Sequence, residues 1–304
     1  MITQNIPSFP KFKKFQTEDR EEIKHITKKF PPYCEYSLVG LLTWYNIEVA
    51  ILNDNLILRL PDSFDDHTPA YSVFGTNEID QTIIKILSRL NKLGHEPKLI
   101  LVPEPVVTSL KIPKKFICIE NRNMFDYIVS TEEMATLRGG HNRTKRQLVI
   151  LFSKRYPDYR METIDLKNHE IQEEIKNLYI RWRKNANKPK NFLNFEYRTL
   201  VKLYELVDQL DIVSHGLYHK STLIGFSIVD LVTKPYAIHY YMKTDIRYRG
   251  INAIFNKFIG EYLFNKGYLY LNLEADLGLP GLRNTKMLSH PIRFLKKYTF
   301  RLAE

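Results

Sequence analysis

Apolar and polar positions alternate along this chain in two runs of the same kind. In IEVAILNDNLILRL (47–60), two short apolar stretches flank an Asn-Asp-Asn turn, which predicts a strand, a tight turn and a second strand. The period then lengthens. In EIDQTIIKILSRLNKLG (78–94), Ile79, Ile83, Ile86, Leu87 and Leu90 recur at helical spacing, and Gly94 stands where a C-cap belongs. KLILVPE (98–104) follows as a buried strand ending in an acid. The second run repeats the order. DIVSHGLYHKSTLIGFSIVDLV (211–232) reads as strand, turn and strand, and YAIHYYMKTDI (236–246) as a third strand. INAIFNKFIGEYLFNKG (251–267) reads as an apolar-faced helix stopped at Gly267, and YLYLNLEAD (268–276) as a strand ending in acids.

Helix, glycine stop, apolar strand and terminal carboxylate thus occur twice, which predicts a duplicated unit with 98–104 matching 268–276. Between the runs, HNRTKRQLVILFSKRYP (141–157) predicts a helix ended by Pro157. HEIQEEIKNLYIRWRKN (169–185) predicts another, with Ile171, Ile175, Leu178 and Trp182 along one stripe. RFLKKYTFRL (293–302) predicts a last strand. The expectation is an α/β (α+β) protein of two lobes, each a mixed β-sheet flanked by helices. The boundary falls within 130–165 and is placed to give lobes 1–140 and 141–304. Sheets of this kind bind ligands at the carboxyl ends of strands, where the topology breaks. In the second lobe that end carries Glu274 and Asp276.

Composition changes this picture little. The 304 residues are 44% hydrophobic and 26% charged, enough for two self-sufficient cores. The N-terminal MITQNIPSFPKFKKF lacks the apolar run of a signal peptide, and no stretch reaches the ~18–20 apolar residues of a membrane span. Cys34 and Cys118 lie among apolar or aromatic residues and read as buried, reduced thiols. The expected location is the cytoplasm.

Charge changes it more. The net charge is +11, and the excess is clustered. Arg138 to Arg160 holds seven basic residues and one acid, Gly281 to Glu304 six and one, and RWRKNANKPK (181–190) five basic residues. Clustered cations attract polyanions, so a phosphate-rich partner is expected: tRNA, a nucleotide or an anionic lipid head group. A solvated basic surface is the plain alternative.

The densest polar constellation runs from Lys243 to Tyr298. It comprises MKTD (242–245), RYRGIN (247–252), LEADLGLPGLRNTKMLSHP (273–291) and KKYT (296–299). A carboxylate accepts a proton from an attacking amine or hydroxyl, and a cation steadies an oxyanion. On that basis Asp276, Lys286, Arg283 and Glu274 are the candidate catalytic residues. Lys243, Asn252, Gly250, His290 and Tyr298 are the candidate substrate-binding residues. The structural alternative is a salt bridge from the acids to Arg283 or Lys286. RYRGIN at a helix start resembles a phosphate-binding turn for coenzyme A. It has Gly250 alone, with Asn252 where a second small residue belongs. Arg143, Lys145 and Arg146 in HNRTKRQ are the candidate tRNA or phosphate contacts. The acidic loop DSFDDH (62–67) reads as solvated, and no metal site is expected. No P-loop, HExxH, GxSxG or CxxC motif occurs.

KRQLVILF, YPDY, RGIN and above all LEADLGLPGLRNTKMLSHP with KKYT resemble the C-terminal catalytic domain of phosphatidylglycerol lysyltransferases, and more closely its stand-alone soluble members. The resemblance spans roughly 15–302 and is most specific in 268–299, where the acid, DLG, GLR, Lys and His-Pro elements fall in order. It implies a tandem pair of GNAT-like lobes. It also implies transfer of an aminoacyl group from aminoacyl-tRNA, the co-substrate, to a lipid head group or another small hydroxyl or amine acceptor, with no cofactor. The membrane enzymes of that family carry a multi-span N-terminal module, and this sequence contains no such segment. An acyl-CoA-dependent N-acyltransferase and a non-catalytic RNA- or anion-binding protein on the same fold are the rival expectations.

Overall fold

The computed structural model describes residues 5–44, 47–60, 69–184 and 190–303. The acidic loop 62–67 lies outside them, as does the stretch 185–189 that joins the two central helices.

The first half contains β1 (Lys13–Lys14), α1 (Arg20–Thr27), β2 (Glu48–Leu52), β3 (Asn55–Leu60), β4 (Ala70–Phe74), α2 (Ile79–Lys92), β5 (Lys98–Pro103), α3 (Glu104–Thr108), β6 (Phe116–Glu120) and β7 (Asp126–Ser130). There follow α4 (Thr131–Thr136), α5 (Arg143–Arg155), β8 (Tyr159–Thr163), α6 (His169–Lys184) and α7 (Lys190–Leu206). The second half continues with β9 (Ile212–His219), β10 (Thr222–Thr233), β11 (Tyr236–Thr244), α8 (Ile251–Asn265), β12 (Tyr270–Asn272), α9 (Pro280–Met287), β13 (Arg293–Leu295) and β14 (Lys297–Leu302).

These strands form two seven-stranded mixed sheets, in the orders β1-β2-β3-β4-β5-β14-β6 and β8-β9-β10-β11-β12-β7-β13. The two orders correspond strand for strand. β2-β3-β4 and β9-β10-β11 are antiparallel meanders; β5 and β12 then run parallel to β4 and β11. The intervening helices, α2 and α8, both stop at a glycine in the left-handed region, Gly94 at φ 73° and Gly267 at φ 83°. β5 thus holds the place in the first sheet that β12 holds in the second, as the repeated pattern predicts. The architecture is that of two GNAT-like lobes in tandem.

The two halves exchange one strand. β14 pairs with β5 and β6 in the first sheet, while β7 pairs with β12 in the second. The compact units are consequently discontinuous: Met1–Tyr127 with Ala275–Ser289 and Arg293–Glu304, and Ile128–Glu274 with His290–Ile292. A single division at 140/141 does not describe them. The pattern of 293–302 also misleads. One strand is expected there, but the segment breaks at Lys296 into β13 and β14, one in each sheet. Apolar alternation announces a strand without saying which sheet it joins.

Each unit has its own core. In the first, α2 packs Ile83, Ile86, Leu87 and Leu90 with Ala50, Ile57, Val73, Leu99 and Phe300 of the sheet. In the second, α8 packs Ile251, Phe255, Ile259 and Leu263 with Leu217, Val229, Ala237 and Leu271. In both, the parallel pair soon separates. β4 and β5 share the single register Tyr71↔Leu99, and β11 and β12 pair only from Tyr236↔Tyr270 to Ile238↔Asn272. Non-glycine residues in the left-handed region mark both partings, Leu101 at φ 55° and Glu274 at φ 60°. A side chain is held there only where the surroundings over-determine the backbone.

Candidate active site

In the second unit, β11 continues past the parting to Thr244, and its side chains meet α6 and α7 on one face. Lys243 Nζ donates to Glu196 Oε1 at 2.9 Å, with both side chains almost wholly buried at 7% and 6% exposure. The ammonium lies 4.2 Å from the ring centroid of Trp182, a cation–π contact. The Tyr179 hydroxyl lies 2.9 Å from Glu196 Oε2, and Thr199 and Tyr241 pair through their hydroxyls. Burial, with Glu196 adding to it, raises the Tyr179 phenol above its ordinary pKa, so it stays a neutral donor. Burial likewise raises Tyr241 well above the ordinary phenol pKa, with Glu196 and then Glu274 among its negative neighbours. A buried charge survives only when paired and hydrogen-bonded, and this cluster meets both conditions.

The turn from β11 into α8 is closed on itself. The Arg247 guanidinium forks onto Asp245 at 2.9 and 2.6 Å, and the Arg247 amide donates to the same carboxylate at 3.2 Å. The amides of Tyr248 and Ile251 donate to the carbonyls of Asp245 and Tyr248, each at 3.0 Å. Gly250 caps α8 at φ 92°, and a Cβ there would lie 2.5 Å from the Leu148 carbonyl oxygen. Its glycine therefore serves the close approach of α5. Asn252 Oδ1 accepts from Thr244 at 2.6 Å.

The DLG segment belongs to the first unit. Asp276 is fully buried, and its two oxygens accept from Arg283 at 2.9 Å each, from Arg122 at 3.2 Å, from the Gly278 amide at 2.8 Å and from the Tyr127 hydroxyl. Burial alone would raise its pKa. The hydrogen bonds from Arg283, Tyr127 and Gly278 outweigh burial and hold it below the carboxylate range. So saturated a carboxylate is a poor proton acceptor and a good clamp. It orients Arg283, whose Nη2 also reaches Asn123 Oδ1 at 2.7 Å. Lys286 Nζ donates to the Ala275 carbonyl at 2.6 Å and lies 5.9 Å from the Tyr127 ring centroid.

The structure thus brings Asp276, Arg283 and Lys286 together in the first unit, with Arg122 and Tyr127. It places Lys243, Gly250, Asn252 and Glu274 in the second. Glu274 takes the Asn272 side chain as acceptor for its amide at 2.7 Å. His290 stacks edge-on against His141, centroids 4.6 Å apart, while His141 Nε2 lies 2.6 Å from Glu133. Tyr298 donates to Glu120 at 3.2 Å. Of the basic trio, Arg143 is exposed, and burial lowers the pKa of Lys145. Arg146 caps α4 through the carbonyls of Leu137 and Gly139.

Sequence reasoning missed Glu196, Tyr179, Tyr241, Arg122 and Tyr127. The signal for Glu196 is present in α7: it falls on the buried stripe Leu193, Glu196, Leu200 and Leu203. A second cluster went unnoticed in the first unit. Lys297 Nζ, fully buried, donates to Glu35 at 2.6 Å and to Asp126 at 2.7 Å, with Cys34 Sγ at 3.6 Å. Cys34, Glu35 and Asp126 are the one group among the described residues whose ligand atoms lie close enough for a metal ion, and the Lys297 ammonium binds in their midst. Cys34 is buried and Cys118 half-buried, and both are free thiols.

The sequence profile of the family described as phosphatidylglycerol lysyltransferase, C-terminal, matches residues 47–301. No curated protein matches the chain. Among solved structures, a conserved protein of unknown function from Bacteroides thetaiotaomicron matches with a TM-score of 0.84 at 23% identity, over 96% of this chain and 99% of that one. The L-PGS of Bacillus licheniformis matches at 0.63 and 12% identity, over 97% and 93%. FemX matches at 0.61 and 9% identity, over 96% and 97%. At these identities the likeness is one of fold.

Proposed function

Because the chain belongs to the phosphatidylglycerol lysyltransferase C-terminal domain family, we propose that it is an aminoacyltransferase taking its aminoacyl group from aminoacyl-tRNA. The acceptor is a hydroxyl or amine, with an anionic lipid head group the first candidate, and the reaction runs in the cytoplasm, where charged tRNA is made. The observation that carries the choice of donor is the closed β11–α8 turn. A pyrophosphate needs free amides at a helix start, yet those of Arg247, Tyr248 and Ile251 already donate within the turn. The corresponding start of α2 carries Glu78 and Asp80, which repel phosphate. Both features argue against acyl-CoA.

The donor ester is already activated, so positioning and charge supply most of the catalysis. In this reading the acceptor oxygen or nitrogen attacks the ester carbonyl, Glu274 takes its proton, and as the ester C–O bond breaks Glu274 returns that proton to the leaving tRNA oxygen. Lys243, fixed by Glu196 and Trp182, steadies developing negative charge. Asn252 orients the acceptor. Arg283 and Lys286, held by Asp276 and the Ala275 carbonyl, contact phosphate, as does the exposed Arg143. His290 in the second unit and Tyr298 in the first are further substrate contacts, each within its own unit.

The test is incubation of purified protein with labelled aminoacyl-tRNAs and a cell extract, followed by identification of the labelled product. Label appearing in a lipid or other small acceptor, and absent with Lys243→Met, is the expected result. Label that stays on tRNA with every amino acid would overturn the proposal.

A further inference from the structure

Strand β6 closes one side of the first sheet, and among the described residues no strand pairs with its outer edge. The Asn121 amide donates to the Lys297 carbonyl, and the Ala303 amide to the Lys115 carbonyl. In an antiparallel ladder, hydrogen-bonded pairs recur at every second residue. Positions 115, 117, 119 and 121 therefore face β14, and Phe116, Cys118 and Glu120 turn their N–H and C=O groups away from it. On the surface of the same strand, Ile117 and Ile119 are 44% and 53% exposed.

Edge strands are ordinarily blunted by shortness, charge, proline or a bulge. Among the described residues the other edges follow that rule. β1 is two lysines, β13 is three residues beginning with Arg293, and β8 carries Arg160 and Glu162. β6, with the sequence FICIE, carries no such device before Glu120.

We propose that β6 is a dimerisation edge, on which a second copy of this chain pairs antiparallel about a two-fold axis at Cys118. The register is self-complementary. Phe116 of one copy faces Glu120 of the other, Cys118 faces Cys118, and all three outward residues exchange both backbone hydrogen bonds. Ile117 of each copy then lies opposite Ile119 of the other in the closer, non-hydrogen-bonded pairing, covering both apolar side chains twice. Glu120, which ends the strand, is already ion-paired with Lys296 of its own chain at 2.7 Å, so the self-complementary register and the exposed isoleucines carry the pairing. Such an interface is isologous and closes at two copies. It is short, so the dimer should be weak, with a dissociation constant on the order of micromolar.

Sedimentation velocity across a wide concentration series tests this on the full chain. Wild type should pass from monomer to dimer and stop there. Ile119→Lys should remain monomeric at concentrations at least about tenfold higher, with an unchanged circular dichroism spectrum. The double variant Ile117→Cys/Ile119→Cys should oxidise to a covalent dimer, because non-hydrogen-bonded partners lie about 4.5 Å apart at Cα, within disulfide reach. Should Ile119→Lys fail to fold, that cross-link decides alone. A wild type that stays monomeric throughout, a dimer that persists in Ile119→Lys without cross-linking, or open-ended assembly would each overturn the proposal.

Discussion

Replacing Lys243 by methionine removes an ammonium that lies 2.9 Å from Glu196 Oε1 and 4.2 Å from the Trp182 ring centroid. Methionine keeps the length of the side chain and its packing on Trp182. What remains is a carboxylate at 6% exposure that retains the Tyr179 hydroxyl and loses its cation. Breaking a buried ion pair from one side costs about 3–5 kcal/mol. The loss has a ceiling, because the carboxylate can instead take up a proton. An ordinary glutamate with a pKa of about 4.3 is neutralised at pH 7 for about 3.7 kcal/mol. The expected destabilisation is therefore about 3–4 kcal/mol at pH 7, measured by urea unfolding followed through tryptophan fluorescence. It should shrink as pH falls toward 5, where protonation becomes easier. Lys243→Met/Glu196→Gln deletes both charges and should recover at least about half of the loss, since a neutral amide can still accept from Tyr179. The double variant should remain inactive, because the positioned cation is gone. A single variant that costs under about 1 kcal/mol, or costs the same as the double, would refute the coupled buried pair.

Three further outcomes follow from the same geometry. His215 is fully buried, both ring nitrogens lack a hydrogen-bond partner among the described residues, and burial pushes its pKa down to about 4. The native state resists a proton that the unfolded chain accepts below about 6.5, so stability is full above that pH and falls by up to about 3 kcal/mol toward pH 4; His215→Phe should flatten this part of the pH profile in denaturant titrations, and an unchanged slope would count against it. Asp276→Asn should loosen α9, because Arg283 and the Gly278 amide lose a charged acceptor worth roughly 2–3 kcal/mol; hydrogen exchange of residues 280–287 should quicken, and unaltered protection would contradict the clamp. Gly250→Ala should cost roughly 2 kcal/mol or more in thermal unfolding, since its Cβ would meet the Leu148 carbonyl at φ 92°; a neutral effect would show that α5 can yield.

Much of the fold was legible because the two apolar periods are strong. The hairpin at 47–60, α2 to Gly94, α8 to Gly267 and the strands following them all appear where the pattern puts them. Which sheet a strand joins was not legible. The exchange of β7 and β14 is decided by long-range pairing, and 293–302 looks like one strand in either case. The site was legible in part. DLG, Arg283 and Lys286 stand out as polar groups around a turn, and they do converge, though on the structural salt bridge rather than on an available base. Lys243 stood out within the polar segment MKTD that ends an apolar strand. Its partner was hidden, because Glu196 lies 47 residues away on a helix whose period looks ordinary until the acid on its buried stripe is noticed.

Offering both donors at once tests most directly whether the acyl group comes from tRNA or from coenzyme A. Purified protein is mixed with tRNA charged with ¹⁴C-labelled amino acids, ³H-labelled acyl-CoA and a lipid-containing extract, and the extractable products are counted by isotope. The expected result is ¹⁴C in the product, with transfer abolished by ribonuclease and unaffected by excess unlabelled coenzyme A. Product carrying ³H alone, insensitive to ribonuclease, would contradict it.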